Sequence, residues 1–91
     1  MYMATLTLTA TETAARRWLE AELVTDILWA TAVPADYLEH LHSEASPDRV
    51  DLTFFHRSPG PAQANAAAVR LCRRALDNSP ALRGWVLCKH P

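Results

Sequence analysis

Thr5-Leu6-Thr7-Leu8-Thr9 alternates a β-branched polar residue with leucine, and this period of two constrains the fold more than any other feature of the chain. A strand with that pattern puts Leu6 and Leu8 on one face and the threonines on the other. One apolar sheet face needs a cover, so the rest of the chain must supply helices or a second sheet.

It supplies helical patterns. Thr11 reads as an N-cap followed by Glu12, Ala14 and Ala15, opening a helix that runs to about Thr31. At 100° per residue, Leu19, Leu23, Ile27 and Ala30 share one face of that helix, with Val24 beside it. A second stripe, spaced i, i+4, i+7, i+11, holds Trp18, Glu22, Thr25 and Trp29. Pro34 is placed to start a short second helix, Pro34 to His42, with Tyr37, Leu38 and Leu41 inward. Ser43 to Asp48 reads as a polar turn around Ser46-Pro47-Asp48.

Val50-Asp51-Leu52-Thr53-Phe54-Phe55-His56 is a second strand with Val50, Leu52 and Phe54 on one side, ended by Ser58-Pro59-Gly60-Pro61. From Pro61 to Asp77 runs the clearest helix. Ala64, Ala68, Leu71, Cys72, Ala75 and Leu76 form its apolar face, and Arg70, Arg73, Arg74 and Asp77 its solvent stripe. Asn78-Ser79-Pro80 stops it. Trp85-Val86-Leu87-Cys88 has no polar residue on either face, as expected of a strand that is central or covered on both sides.

The expected fold is therefore a small α/β (α+β) domain over residues 1–91, in the order β-α-α-β-α-β, with helices packed on a three-stranded sheet. Right-handed crossovers would make the first and second strands parallel, and likewise the second and third. The alternative is a mostly helical domain whose first strand pairs in trans.

Charge is divided along the chain. Trp18 to Asp48 carries seven acids and no Lys or Arg, whereas the 43 residues from Arg49 carry seven basic side chains against Asp51 and Asp77. The net charge of −1 thus hides −6 over residues 1–48, from two arginines against eight acids, and +5 over residues 49–91. Such a split bears on partners, the chain itself included, and is silent about fold.

No motif names a reaction. The ligand-type residues His40, His42, His56, Cys72, Cys88 and His90 form no close C-x-x-C or H-x-x-x-H pair, so neither metal nor cofactor is expected. Ser43, Ser46, Ser58 and Ser79 stand in turn contexts, and two glycines cannot build a phosphate loop, so no catalytic residues are assigned. Free buried cysteines suit a reduced, cytoplasmic setting, preferred here over a Cys72–Cys88 disulfide. Met1-Tyr2-Met3-Ala4 lacks a positive n-region, and no apolar run is long enough to span a membrane, so neither signal peptide nor membrane partner is expected. Direct nucleic-acid binding is disfavoured by a sequence pI near 6.4.

The remaining signal is three tryptophans in 91 residues, Trp being enriched at binding hot spots. Trp85 reads as core. Trp18, Glu22, Asp26 and Trp29, with Arg70, Arg73 and Arg74, are the candidate partner-binding residues of a non-enzymatic interaction or regulatory module. Within it, Trp29 is expected to be structural and Trp18 the more exposed. Self-association into a homodimer is expected from a small core, an exposed first strand and opposite charge in the two halves. The alternatives are an acidic inhibitor or decoy for the basic surface of a nucleic-acid-processing protein, and a small metal- or thiol-dependent domain.

Overall fold

The computed structural model describes residues 1–11, 18–57 and 59–88. Its elements are β1 (Tyr2–Ala10), α1 (Ala21–Thr31), β2 (Leu38–Ser46), β3 (Arg49–His56), α2 (Pro61–Asn78) and β4 (Trp85–Cys88), with single 3-10 turns at Pro34–Asp36 and Pro80–Leu82. The four strands form one sheet in the order β2-β3-β1-β4, and every neighbouring pair is antiparallel. Both helices lie on one face, α2 over β1 and α1 over β2 and beside α2. The result is a small two-layer α+β structure of the split β-α-β type, in which β3 separates β1 from β2.

The alternation in β1 does what its period implies: Ala4, Leu6 and Leu8 are buried under the helices. In β3 the inward set is Val50, Leu52, Phe54 and His56. Close packing on them is made by the alanine face of α2, with Ala64, Ala67, Ala68, Leu71, Cys72 and Ala75 buried. Pro61 opens α2 at its first turn, and Ser79-Pro80 closes it.

Five sequence expectations are corrected. The segment read as a helix from Pro34 to His42 is one 3-10 turn followed by β2, so the sheet has four strands and the order is β-α-β-β-α-β. The polar turn shrinks to Pro47-Asp48, a two-residue hairpin loop in which proline presets one dihedral and Asp48 takes φ 61°. Because that hairpin adds a reversal, β1 and β3 are antiparallel neighbours, while β3 and β4 run in the same direction on either side of β1. The first strand is internal, bonded to β3 over Tyr2–Thr9 and to β4 over Thr7–Ala10, and offers no free edge over Thr7–Thr9. β4 is an edge strand, not a central one: Trp85 is buried, but Val86 is exposed on the helix-free face.

The helix read from Thr11 to Thr31 is described only from Ala21, with Trp18, Leu19 and Glu20 ahead of it in non-helical backbone; Glu12, Ala14 and Ala15 lie outside the described residues. Its buried face is Val24 and Leu28, with Ile27 partly buried beside them, so Leu23 (42% exposed) and Ala30 point outward. Leu19 is buried, though not as part of the helix.

Candidate functional site

Turning the core face to Val24 and Leu28 presents Glu22, Asp26 and Trp29 together on the outer face of α1, at angles within about 60° of one another for a 100° step. Trp29 is 43% exposed, so it is not the buried structural tryptophan expected, and Trp18 is 55% exposed. Trp18 precedes the helix, and the two tryptophans therefore flank α1 without forming one helical stripe. Beyond the C-terminus of α1, Trp29 joins Val33, Pro34, Tyr37 and Leu38 around a shallow depression of about 300 Å³.

That depression is held in place from beneath. Asp36, the last residue of the 3-10 turn, is 1% exposed, and its carboxylate accepts from the Val33 backbone N–H at 2.9 Å and from the Arg74 guanidinium at 3.1 Å. Arg74 also donates to the Thr31 carbonyl at 3.1 Å, joining the end of α1, the turn and α2. Burial acts to raise the Asp36 pKa, but hydrogen bonds from Arg74 and Val33, with the charges of Arg74 and Arg70, outweigh it and hold the carboxyl below its ordinary value. The Asp36 carbonyl accepts from His56 Nδ1 at 2.8 Å, which fixes the proton on that nitrogen because a carbonyl only accepts. His56 is fully buried, and its Nε2, like Trp85 Nε1, has no hydrogen-bond partner among the described residues.

Directly after this clamp, Tyr37 takes φ 51° and is 56% exposed. A left-handed tyrosine costs about 1–2 kcal/mol and persists only where the surroundings offset that cost. The Arg57 N–H on the Tyr37 carbonyl, at 2.8 Å, and the clamped Asp36 do so here. The sequence reading missed Asp36 and Tyr37. The only local trace of them is Pro34, which also suits a longer helix.

Arg70 and Arg73 are exposed on α2 as expected. Arg74 is not part of that solvent stripe: its guanidinium turns inward to the buried carboxylate of Asp36. Two ion pairs, Arg74 with Asp36 and Arg57 with Glu39, bridge the basic and acidic halves of the sequence. Glu22 and Asp26, by contrast, have no cationic partner among the described residues.

The ligand-type residues are dispersed. His40 and His42, expected on opposite sides of a helix, share the helix-free face of β2, His40 against the Phe55 ring and His42 3.3 Å from Glu44. His56 and Cys72 are buried on the other side of the sheet. Among the described residues, no three His, Cys, Asp or Glu side chains are grouped as a metal site. His90 lies outside the described residues.

Cys72 and Cys88 are free thiols. Burial pushes the Cys72 thiol up to about 12, which lowers its thiolate fraction at pH 8 by on the order of 10³ relative to an ordinary cysteine. Alkylation of the folded protein followed by peptide mass spectrometry is therefore expected to modify half-buried Cys88 well before Cys72. Equal rates would contradict the packing of α2 on β1.

Among the described residues, no helix is long and apolar enough to cross a membrane. Compared with protein-family models, curated proteins and solved structures, the chain gives no match in any of the three.

Proposed function

We propose that this protein is a small non-enzymatic interaction module that binds a protein partner through the outer face of α1 and the aromatic depression at its end. One observation carries this reading: Trp18, Trp29, Val33 and Tyr37 are all exposed large apolar side chains, and Trp29, Val33 and Tyr37 stand on backbone that the Asp36–Arg74–His56 contacts hold rigid. Exposed aromatics on a pre-ordered scaffold lose little conformational entropy on binding, which is what makes them effective anchors. Glu22 and Asp26 beside Trp29, which have no cationic partner among the described residues, favour a partner with basic groups, and Arg70 and Arg73 lie on the neighbouring helix.

Self-association remains within this reading, resting on the opposite charge of the two helices and on the Tyr2–Leu6 stretch of β1, which among the described residues is paired by β3 alone. Light scattering on a sizing column at low and moderate salt separates a second copy from a foreign partner.

Trp18→Ala should change folding stability by about 1 kcal/mol or less, because Trp18 is 55% exposed, and Trp29→Ala by about 1–2 kcal/mol, because Trp29 is 43% exposed and keeps more of its surface packed. Each should weaken the partner complex by about 2 kcal/mol or more. The measurement is quantitative affinity capture with wild type and both variants, paired with urea unfolding of each. Recovery of the same partners in the same yield by all three proteins would overturn the assignment.

A further inference from the structure

We propose that the outer edge of β2 accepts an extended, basic segment of a protein partner as a fifth strand of the sheet. This rests on the reading above, to which it adds the conformation and chemistry of the segment bound.

β2 ends the sheet on one side, and among the described residues nothing pairs with its outer backbone groups. Such a row of free N–H and C=O groups is a template for strand addition unless it is blunted, usually by lysine, proline or a bulge. The irregularity between Leu38 and His40 interrupts only the start of β2. From His40 to Ser46 the strand is regular and contains no Lys, Arg or Pro.

Beside this edge runs a groove of about 260 Å³ between β2 and the flank of α1, lined by Leu41, His42, Ser43, Thr25, Glu22 and Asp26. Its floor is fixed by the 2.7 Å hydrogen bond between the Thr25 and Ser43 hydroxyls. Glu22 and Asp26 rim it on the helix side.

The charges select the occupant. Two residues four apart on a helix rise about 6.0 Å along its axis, and alternate residues of a strand about 6.6 Å. Lysine or arginine at i and i+2 of an added strand therefore has a spacing that matches that of Glu22 and Asp26 along the groove. A second copy of this chain fits less well. Its own α1 lies over its own β2, so β2-to-β2 pairing would bring two helices together above strands about 4.8 Å apart. Helices pack 8–10 Å apart, and four carboxylates would share one groove.

The probe is a fluorescein-labelled heptapeptide, Thr-Val-Lys-Val-Lys-Val-Thr, followed by anisotropy with the full chain at low salt. Two controls accompany it: Thr-Lys-Val-Val-Lys-Val-Thr, which has the same composition but lysines on opposite faces of a strand, and the first peptide with glutamates for lysines. The in-phase lysine peptide should bind at least about tenfold tighter than either control. The double variant Glu22→Gln with Asp26→Asn, both exposed positions, should abolish that preference, whereas Val86→Ala, on the edge strand at the far side of the sheet, should leave it.

No measurable binding, equal affinity for the three peptides, or a preference that survives the double variant would overturn the proposal. So would a β2-mediated dimer that Ser43→Pro converts to monomer. Absence of the peptide preference in the unmodified chain, with the tryptophan variants still impaired in partner capture, would sink this inference alone. The opposite pattern would sink the α1 reading and leave the strand-edge site.

Discussion

Replacing Arg74 with alanine is expected to destabilise the protein by about 3 kcal/mol, the low end of the range for breaking a buried ion pair because the guanidinium is one-third exposed. The loss is not the strength of the pair itself. Without Arg74, the Asp36 carboxylate, 1% exposed, keeps the Val33 N–H and the weaker influence of the Arg70 charge but loses its hydrogen-bonded cation, and the Thr31 carbonyl loses a donor. Asp36→Ala should cost less, about 1–2 kcal/mol, since the freed Arg74 can turn to water. Arg74→Lys should fall between, retaining the charge without the planar fork that reaches both the carboxylate and the carbonyl. Urea unfolding of the three variants measures the order. An Arg74→Ala change under 1 kcal/mol, or a reversed order, would remove the clamp from the account of how Tyr37 and Val33 are positioned.

The same carboxylate makes stability depend on pH. A group whose pKa is lowered in the folded state contributes stability that is present above its unfolded value and is lost as the pH falls through the folded value. Asp36 is such a group. Its contribution should be complete at neutral pH and decline as the medium is acidified through about 4 and below. In Asp36→Ala that part of the acid sensitivity should be missing.

Leu28→Ala should cost about 2–5 kcal/mol, as for a fully buried leucine whose removal leaves a cavity. Leu23→Ala, five positions earlier on the same helix, should cost less than about 1 kcal/mol, because Leu23 is 42% exposed. The pair tests the rotational setting of α1. Equal losses, or a larger loss at Leu23, would restore the face of Leu19, Leu23 and Ile27 as the buried one and withdraw Glu22, Asp26 and Trp29 from the surface.

That setting was ambiguous in the sequence for a physical reason. Residues 21–31 carry Leu23, Val24, Ile27, Leu28 and Trp29, so apolar side chains cover well over half the circumference and periodicity alone admits more than one inward face. The choice fell to tertiary contacts: α1 packs on β2 and α2, and of its residues only Val24 and Leu28 are fully buried. β2 was illegible for a related reason. Its inward positions are Leu41, Ser43 and Ala45, of which only one is strongly apolar, and Pro34 with Tyr37, Leu38 and Leu41 imitates a helix start. What makes Leu38–Ser46 a strand is the free edge of β3, whose hydrogen bonds outweigh a weak local preference.

What the sequence determined by itself were the segments whose local pattern and final surroundings agree. The threonine–leucine alternation made β1, the Val50, Leu52 and Phe54 alternation made β3, and an alanine face between Pro61 and Ser79-Pro80 made α2. The tertiary structure alone decided the fourth strand and the antiparallel order, because pairing is long-range and leaves no local signature. It alone turned Arg74 away from the solvent stripe, because the carboxylate that draws it in lies 38 residues earlier in the chain. And it alone exposed Trp29 and the outer edge of β2, since exposure depends on which neighbours arrive and not on the residue that waits for them.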